Sequence, residues 1–131
     1  WIKVINIVGK DEQKNVYSNL VHFHHGFGGN APRSKGVMRV DIDSSNYPDA
    51  DVIVRGHTHQ KWIIQRQQRR LSLGGVAYKK KTLHAQLGSY KDGYGMGTRG
   101  WEVEKEFSET VLGSFMFTFS GSKNVKYLEL E

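Results

Sequence analysis

The stretch Asp51-Val52-Ile53-Val54-Arg55-Gly56-His57-Thr58-His59 decides the fold. Its first five residues are mostly apolar, which predicts a short strand buried inside a sheet. The glycine that follows lets the chain leave the strand sharply and approach a ligand closely. The two histidines lie two residues apart, so on an extended backbone their imidazoles would face one site. The stretch therefore predicts a strand that ends in a turn, whose two histidines either face a ligand or are surface histidines without a site.

A second histidine cluster precedes this strand in the chain. Residues 16–24 alternate loosely and predict another strand, which runs into His25 and a glycine-rich loop at residues 26–30. His22 and His24 share one face of that strand, whereas His25 lies where the strand must turn. The loop could present backbone N–H groups to an anion, although a simple flexible turn explains its glycines equally well.

The rest of the chain is also rich in strand patterns. One short stretch, residues 33–45, has mixed periodicity and predicts a turn or two of helix before Pro48. Gly74-Gly75 predicts a two-residue hairpin turn, residues 88–100 with their five glycines predict a surface loop, and Gly121-Ser122 predicts a further turn. The remaining predicted strands are residues 2–8, 62–73, 76–86, 101–107, 111–119 and 125–130. The expected fold class is α/β and β-rich, with one short helix.

Composition limits the classes of function. The chain of 131 residues fits a single domain. It has no cysteine, which excludes disulfides and thiolate metal sites. Any transition metal would therefore be one that imidazole binds. The lack of cysteine also fits a cytoplasmic location. No apolar run is long enough to cross a bilayer, so no membrane partner is expected. A net charge of +6 favours anionic partners, although charge of this size also simply keeps proteins in solution.

The two histidine clusters, in this order and about thirty residues apart, resemble the last two motifs of the calcineurin-like metallophosphoesterases. Leu87-Gly88-Ser89-Tyr90 is similar to a Gly-Ser step that follows in that family. The resemblance covers most of the chain, and its most specific part is residues 51–59. It implies the C-terminal half of a two-sheet metallophosphoesterase sandwich, in which residues 1–131 form a single partial domain.

The resemblance also implies a set of metal ligands. The candidates are His24, His25, His57 and His59. In the family pattern His57 would bind the second metal ion and His59 the first. Either His24 or His25 would be the other ligand of the second ion. His24 is preferred, because families with a two-histidine version of the motif use the first histidine, but a His directly before Gly also occurs, so both stay open.

The function implied by the resemblance is metal-assisted hydrolysis of phosphate mono- or diesters, as in a phosphatase, a phosphodiesterase or a nuclease. The complete enzyme would bind two divalent ions (Mn, Fe or Zn), and Asn30 and Arg33 would contact the phosphoryl group. The family's earlier motifs (Asp-x-His, Gly-Asp-x-x-Asp and Gly-Asn-His) are missing, and the chain begins at Trp1 rather than Met. We therefore expect a truncated domain that needs its upstream half as a partner and has no appreciable activity alone.

A basic hairpin suggests an alternative function. Residues 65–70 and 78–81 face each other across the predicted turn and carry six positive charges. They suit contact with a nucleic-acid backbone, although a solvated charged face is the simpler explanation. The alternative is a non-catalytic basic β module that binds nucleic acid or a partner protein. A truncated half-domain should also expose apolar sheet surface, so we expect self-association.

Overall fold

The computed structural model describes residues 1–9, 14–27, 34–90, 111–121 and 124–131. The predicted strand 101–107, most of the predicted loop 88–100 and Ser122 of the predicted last turn lie outside these residues. The described elements are β1 (Ile2–Val8), β2 (Asn15–His24), α1 (Arg39–Asn46), β3 (Val52–Arg55), β4 (Trp62–Leu71), β5 (Ala77–Gln86), β6 (Ser114–Phe119) and β7 (Val125–Leu130). The β-rich α/β class is confirmed, and the described helix is short, as predicted.

Five strands form the larger sheet, in the order β1-β2-β3-β5-β4. The three central strands are parallel, and β1 and β4 pair antiparallel at the two edges. Helix α1 lies in the connection between β2 and β3, as parallel neighbours require a crossover. In register, His24 lies opposite Arg55, and Arg55 lies opposite Gln86. The carboxyl ends of the parallel strands therefore meet at one edge of the sheet, where ligands bind in open α/β sheets.

Helix α1 covers one face of this sheet. The Ser44 hydroxyl lies 2.8 Å from Nε2 of His84, which is fully buried on β5. At the end of the helix, Tyr47 stacks on His22 of β2 with ring centroids 3.6 Å apart. Val52 and Ile53 of β3 are completely buried, as the apolar strand pattern predicts. The helix thus packs on the strands that lead to both histidine clusters.

The second sheet consists of the hairpin β6-β7, and the start of β7 meets the face opposite the helix. Val125 of β7 shares a small cavity with Gln65 and Leu83, whose side chains point away from the helix. Lys61 fastens the end of β7, because its ammonium group donates a 2.8 Å hydrogen bond to the Leu130 carbonyl and lies 3.0 Å from the Glu129 carboxylate. The predicted strand 111–119 is shorter than expected and begins at Ser114.

A buried amide lies on the face opposite the helix. Asn19 of β2 pairs in register with Val4 and is completely buried. Within the described part of the chain, neither Nδ2 nor Oδ1 of Asn19 has a hydrogen-bond partner, and Nδ2 of Asn6 on the same face also lacks one. A buried amide without partners has lost its hydration uncompensated, which costs roughly 1–3 kcal/mol.

The β4-β5 hairpin forms the far edge of the larger sheet. The prediction of a two-residue turn at Gly74-Gly75 is wrong, because the Ser72 N–H donates to the Val76 carbonyl at 2.9 Å and leaves a three-residue loop. The Ser72 carbonyl accepts from the Gly75 N–H, and its hydroxyl accepts from the Val76 N–H. Gly75 has a φ of +78°, which glycine adopts without strain.

Apolar side chains are exposed on the other edge. Ile5 and Ile7 of the edge strand β1 and Val16 of β2 are 55%, 64% and 65% exposed. Ile7 pairs in register with Val16, so these side chains lie on one face. Among the described residues, no helix is long and apolar enough to cross a bilayer.

Candidate functional site

The two histidine clusters meet where β2 and β3 end side by side. His24 and Arg55 form the last pair of the ladder, and the backbone contact continues one residue further. The Gly56 N–H donates a 3.1 Å hydrogen bond to the His25 carbonyl. The parallel pairing of these strands therefore joins two parts of the chain that lie more than thirty residues apart.

His25 and His57 form a pair at this junction. Nε2 of His25 lies 3.1 Å from Nδ1 of His57, and the ring centroids are 5.1 Å apart at an interplanar angle of 71°. One ring donates the shared hydrogen and the other accepts it, according to their tautomers. Both side chains are exposed. The pair thus brings two imidazole nitrogens within 3.1 Å of each other at the sheet edge.

Close backbone packing holds the pair in place. Gly26, with a φ of +89°, lies against the turn after β3, so that a Cβ at this position would be 3.1 Å from the Gly56 carbonyl oxygen and 3.4 Å from Cβ of His57. The same Gly56 carbonyl accepts a hydrogen bond from the Gln86 side-chain amide of β5. The glycine after the first cluster is therefore required for the close approach of the second.

The expectation that His57 and His59 lie on extended backbone is wrong. Strand β3 ends at Arg55, and the two histidines have φ values of 73° and 54° in the left-handed region. The Thr58 N–H donates to the Gly56 carbonyl at 3.0 Å, which with the positive φ makes a γ-turn centred on His57. This turn separates the two imidazoles, and within the described residues no hydrogen bond or ring contact joins His59 to the His25–His57 pair.

His24 belongs to a different, buried cluster. Its Nε2 atom lies 4.0 Å from Oδ2 of Asp43 in α1, and that carboxylate forms an ion pair with Nη1 of Arg55 at 3.1 Å. The 3.1 Å separation of Arg55 and Asp43 is that of an ion pair, but the two groups are not aligned as in a good hydrogen bond. Burial lowers the pKa of His24, and the carboxylate of Asp43 opposes this shift. Of the two alternatives for the upstream ligand, the structure places His25, not His24, beside His57.

His22 is also part of the buried side of the sheet. Burial lowers its pKa, and the neighbouring His24 imidazole, with ring centroids 5.4 Å apart, lowers it further. The rings of Trp1 and His22 also pack edge to face, with their centroids 4.9 Å apart. His22 is thus a packed structural histidine.

A cavity of about 80 Å³ lies between the helix and the ends of the parallel strands. Its lining residues are His24, Gly26, Phe27, Gly36, Arg39, Asp43, Arg55, Gly56, Thr58 and Gln86. The guanidinium of Arg39 lies 4.0 Å above the Phe27 ring, and the Thr58 hydroxyl is buried without a hydrogen-bond partner in the described residues. The cavity connects the buried Asp43–Arg55 ion pair with the histidine pair through its glycines.

Some residues of this site were not singled out in the sequence. Arg55 offered a signal, since an arginine in an otherwise apolar buried strand needs an anionic partner. The sequence does not show which of the four aspartates in residues 41–51 pairs with Arg55, because the choice of Asp43 depends on how α1 lies on the sheet. Asn30 and Arg33, the predicted phosphoryl contacts, lie outside the described residues.

Within the described residues, no group of three or more His, Asp or Glu side chains is arranged to hold a metal ion. The site therefore offers two adjacent imidazole nitrogens, a tight turn and a small cavity. Comparisons with protein-family models, with curated proteins and with solved structures find no match.

Proposed function

We propose that this chain is the C-terminal portion of a calcineurin-like two-metal phosphoesterase, in which His25 and His57 together bind one divalent cation. The observation that carries the proposal is the 3.1 Å separation of their ring nitrogens at the carboxyl ends of two adjacent parallel strands. A site at this edge of the sheet is where ligands of open α/β sheets bind.

The geometry of the pair fits shared ligation of one ion. Imidazole nitrogens bind zinc at about 2.0–2.1 Å, so two of them at octahedral to tetrahedral angles lie about 2.9–3.4 Å apart. The nitrogens of His25 and His57 already have such a separation. Imidazole suits zinc, iron and related transition metals. The strained γ-turn at His57 supports the same proposal, since backbone strain concentrates at functional sites.

Two histidines are an incomplete set of ligands. The proposal therefore includes the upstream half of the same domain, which would supply carboxylates and hold a second divalent ion with His59. Bound cations would polarise the phosphoryl oxygens of a phosphate mono- or diester. Of the residues in this chain, His25 and His57 would hold one cation, and Asn30 and Arg33 would contact the phosphoryl group. The absence of cysteine supports a cytoplasmic location.

A zinc titration by isothermal calorimetry tests the proposal on this chain. We expect one Zn²⁺ per chain, with His25→Ala and His57→Ala each weakening the affinity at least about tenfold, because each removes one of only two ligands. His59→Ala is the matched control, since it removes a histidine from the same turn and should leave this affinity unchanged. Equal zinc affinity of the parent and the His25→Ala/His57→Ala double variant would refute the proposal.

Activity provides a second readout. We expect no appreciable Mn²⁺-dependent hydrolysis of bis(p-nitrophenyl) phosphate by this chain, because the carboxylate ligands are missing. Turnover that is lost in His57→Ala would show that the site is complete without an upstream half.

A further inference from the structure

The six cations of the β4-β5 hairpin are divided between its two faces. Side chains alternate along each strand, so one set points toward α1 and the segment that follows it. We call this set, Arg66, Arg70 and Lys80, the inner cations. The other set, Arg69, Lys79 and Lys81, lies on the opposite face, and we call these the outer cations. The two sets differ in their ion pairs.

Each inner cation has an acidic partner on the helix side. The ion pairs are Arg66–Asp41 at 3.0 Å, Arg70–Asp49 at 3.7 Å, and Lys80–Asp51. These partners neutralise the inner face and fasten the hairpin to residues 41–51. The inner cations therefore stabilise the fold through these ion pairs.

The outer cations have no acidic partner among the described residues. All three are exposed, and Arg69 lies directly opposite Lys79 in the register. Like charges directly opposite each other destabilise an antiparallel pair, by up to roughly 1 kcal/mol. Asp51 lines the same small cavity as Lys81, but its carboxylate is already engaged by Lys80 and by the Leu20 N–H. Within the described part of the chain this like-charge pair has no compensating anion, which suits an anion supplied by a binding partner.

The arrangement of the outer cations suits a linear polyanion. Lys79 and Lys81 are about 7 Å apart along the strand, and Arg69 lies about 5 Å across the ladder. This spacing is similar to that of successive phosphates along a nucleic-acid strand. Gln65 and Gln67 are exposed on the same face and add amide donors. No aromatic side chain belongs to this set, so base stacking is not part of the contact.

We infer that the face formed by Gln65, Gln67, Arg69, Lys79 and Lys81 binds the phosphate backbone of nucleic acid without sequence preference. This function goes beyond the proposed phosphoesterase site and does not depend on the histidines. The opposite face of the hairpin is held against the helix segment, so the hairpin presents its outer face, bordered by Val125 of β7 at Gln65 and Lys81, instead of inserting into a groove as a free ribbon.

The tip of the hairpin raises a competing possibility. Leu73 and Val76 are exposed there, and apolar residues beside cations also suit an anionic bilayer. However, Lys81 lies four residues from Ala77, about 14 Å along the strand. A bilayer that meets the tip would leave Lys81 without contact, whereas a nucleic-acid strand that lies along the face meets all three outer cations. The observations therefore favour nucleic acid.

Fluorescence anisotropy with labelled oligothymidylate, measured over a range of salt concentrations, tests the inference. The test variant is Arg69→Gln/Lys79→Gln/Lys81→Gln. The matched control is Lys3→Gln/Lys14→Gln/Lys126→Gln, which removes the same number of charges from exposed positions elsewhere. We expect the test variant to bind at least about tenfold more weakly and to lose about 2 from the slope of log K against log salt, since each phosphate contact contributes about 0.7. The control should stay within about threefold of the parent.

Equal weakening by both triple variants would overturn the inference, because it would show an effect of net charge alone. Binding to phosphatidylserine vesicles that is lost in Leu73→Ser, without binding to oligothymidylate, would also overturn it in favour of a membrane. The Arg69→Gln/Lys79→Gln/Lys81→Gln variant should remain folded by circular dichroism, since it removes the repulsion between Arg69 and Lys79. His25→Ala/His57→Ala should keep its affinity for oligothymidylate, so failure of the metal-site proposal leaves this inference standing.

Discussion

His84 is the residue whose ionisation depends most on the fold. Its side chain is 1% exposed beneath α1, where Nε2 lies 2.8 Å from the Ser44 hydroxyl and Nδ1 has no partner in the described part of the chain. Burial lowers its pKa to about 4, and the nearby charges of Arg55 and Arg66 act in the same direction, whereas Asp41 opposes them. The folded protein therefore keeps His84 neutral across the range in which an unfolded chain would protonate it.

This shift predicts a loss of stability in acid. The folded pKa lies below the ordinary value of 6.5, so the unfolded chain binds the proton more strongly. The stability contributed by neutral His84 is fully present above about pH 6.5 and is lost as the pH falls toward 4. We expect the free energy of unfolding to fall by roughly 2 kcal/mol between about pH 7.5 and about pH 5 through this residue.

Urea unfolding of the parent and His84→Gln at both pH values measures this contribution. The pKa values of His22 and His24 are lowered as well, so the difference between parent and variant isolates His84. An identical dependence on pH in both proteins would contradict the prediction.

At the scale of the elements, Asp51 joins the strands around the start of β3. Its Oδ2 atom accepts a 2.9 Å hydrogen bond from the Leu20 N–H of β2, and its Oδ1 atom pairs with Lys80 of β5. Its own carbonyl accepts from the Leu83 N–H at 2.9 Å. One half-buried carboxylate thus connects neighbours that lie about thirty residues away on either side in sequence.

We expect Asp51→Ala to lower the free energy of unfolding by roughly 2 kcal/mol, because it leaves a buried N–H and a shielded ammonium group without their acceptor. Asp41→Ala is the matched control. Asp41 pairs with Arg66 but its side chain is 79% exposed, so its loss should cost less than about 0.5 kcal/mol. Both values come from urea unfolding with an unchanged m-value, and equal costs for the two variants would contradict this account of β3.

The elements differ in how far the sequence predicts them. Strands β1 and β2 follow from β-branched or alternating runs, β4 and β5 follow from the hairpin pattern around Gly74-Gly75, and the short helix follows from mixed periodicity before Pro48. The turn between β4 and β5 was mispredicted because the backbone and hydroxyl of Ser72 extend the ladder, which two adjacent glycines do not reveal. The γ-turn at His57 was missed for a similar reason, since its left-handed backbone depends on contacts with Gly56 and Gly26 rather than on histidine spacing.

At the scale of the whole molecule, one edge of the larger sheet is apolar and the other is basic. Among the described strands, β1 pairs with β2 alone, and its Ile5 and Ile7 side chains are more than half exposed. An edge strand with apolar side chains and free backbone groups is a template for pairing with another chain. The basic edge at β4 has charged side chains that oppose such pairing.

We therefore expect concentration-dependent self-association through β1. In sedimentation velocity experiments, Ile7→Lys should shift the protein toward monomer, because a lysine on an edge strand disfavours strand pairing. Ile42→Lys is the control, since Ile42 is 49% exposed on the helix and lies away from that edge. A parent protein that remains monomeric at high concentration would contradict the prediction.

The buried amide of Asn19, which has no hydrogen-bond partner in the described part of the chain, has a practical consequence for anyone who handles this protein. Most substitutions at fully buried positions weaken a fold, but among the described residues the buried Asn19 amide has no hydrogen-bond partner that a substitution would remove. A β-branched apolar residue of similar size would avoid the desolvation of the amide and suits a strand. We expect Asn19→Val to raise the midpoint of urea unfolding, by about 1 kcal/mol in free energy. A single substitution inside the sheet would thus make the protein more stable than its natural sequence.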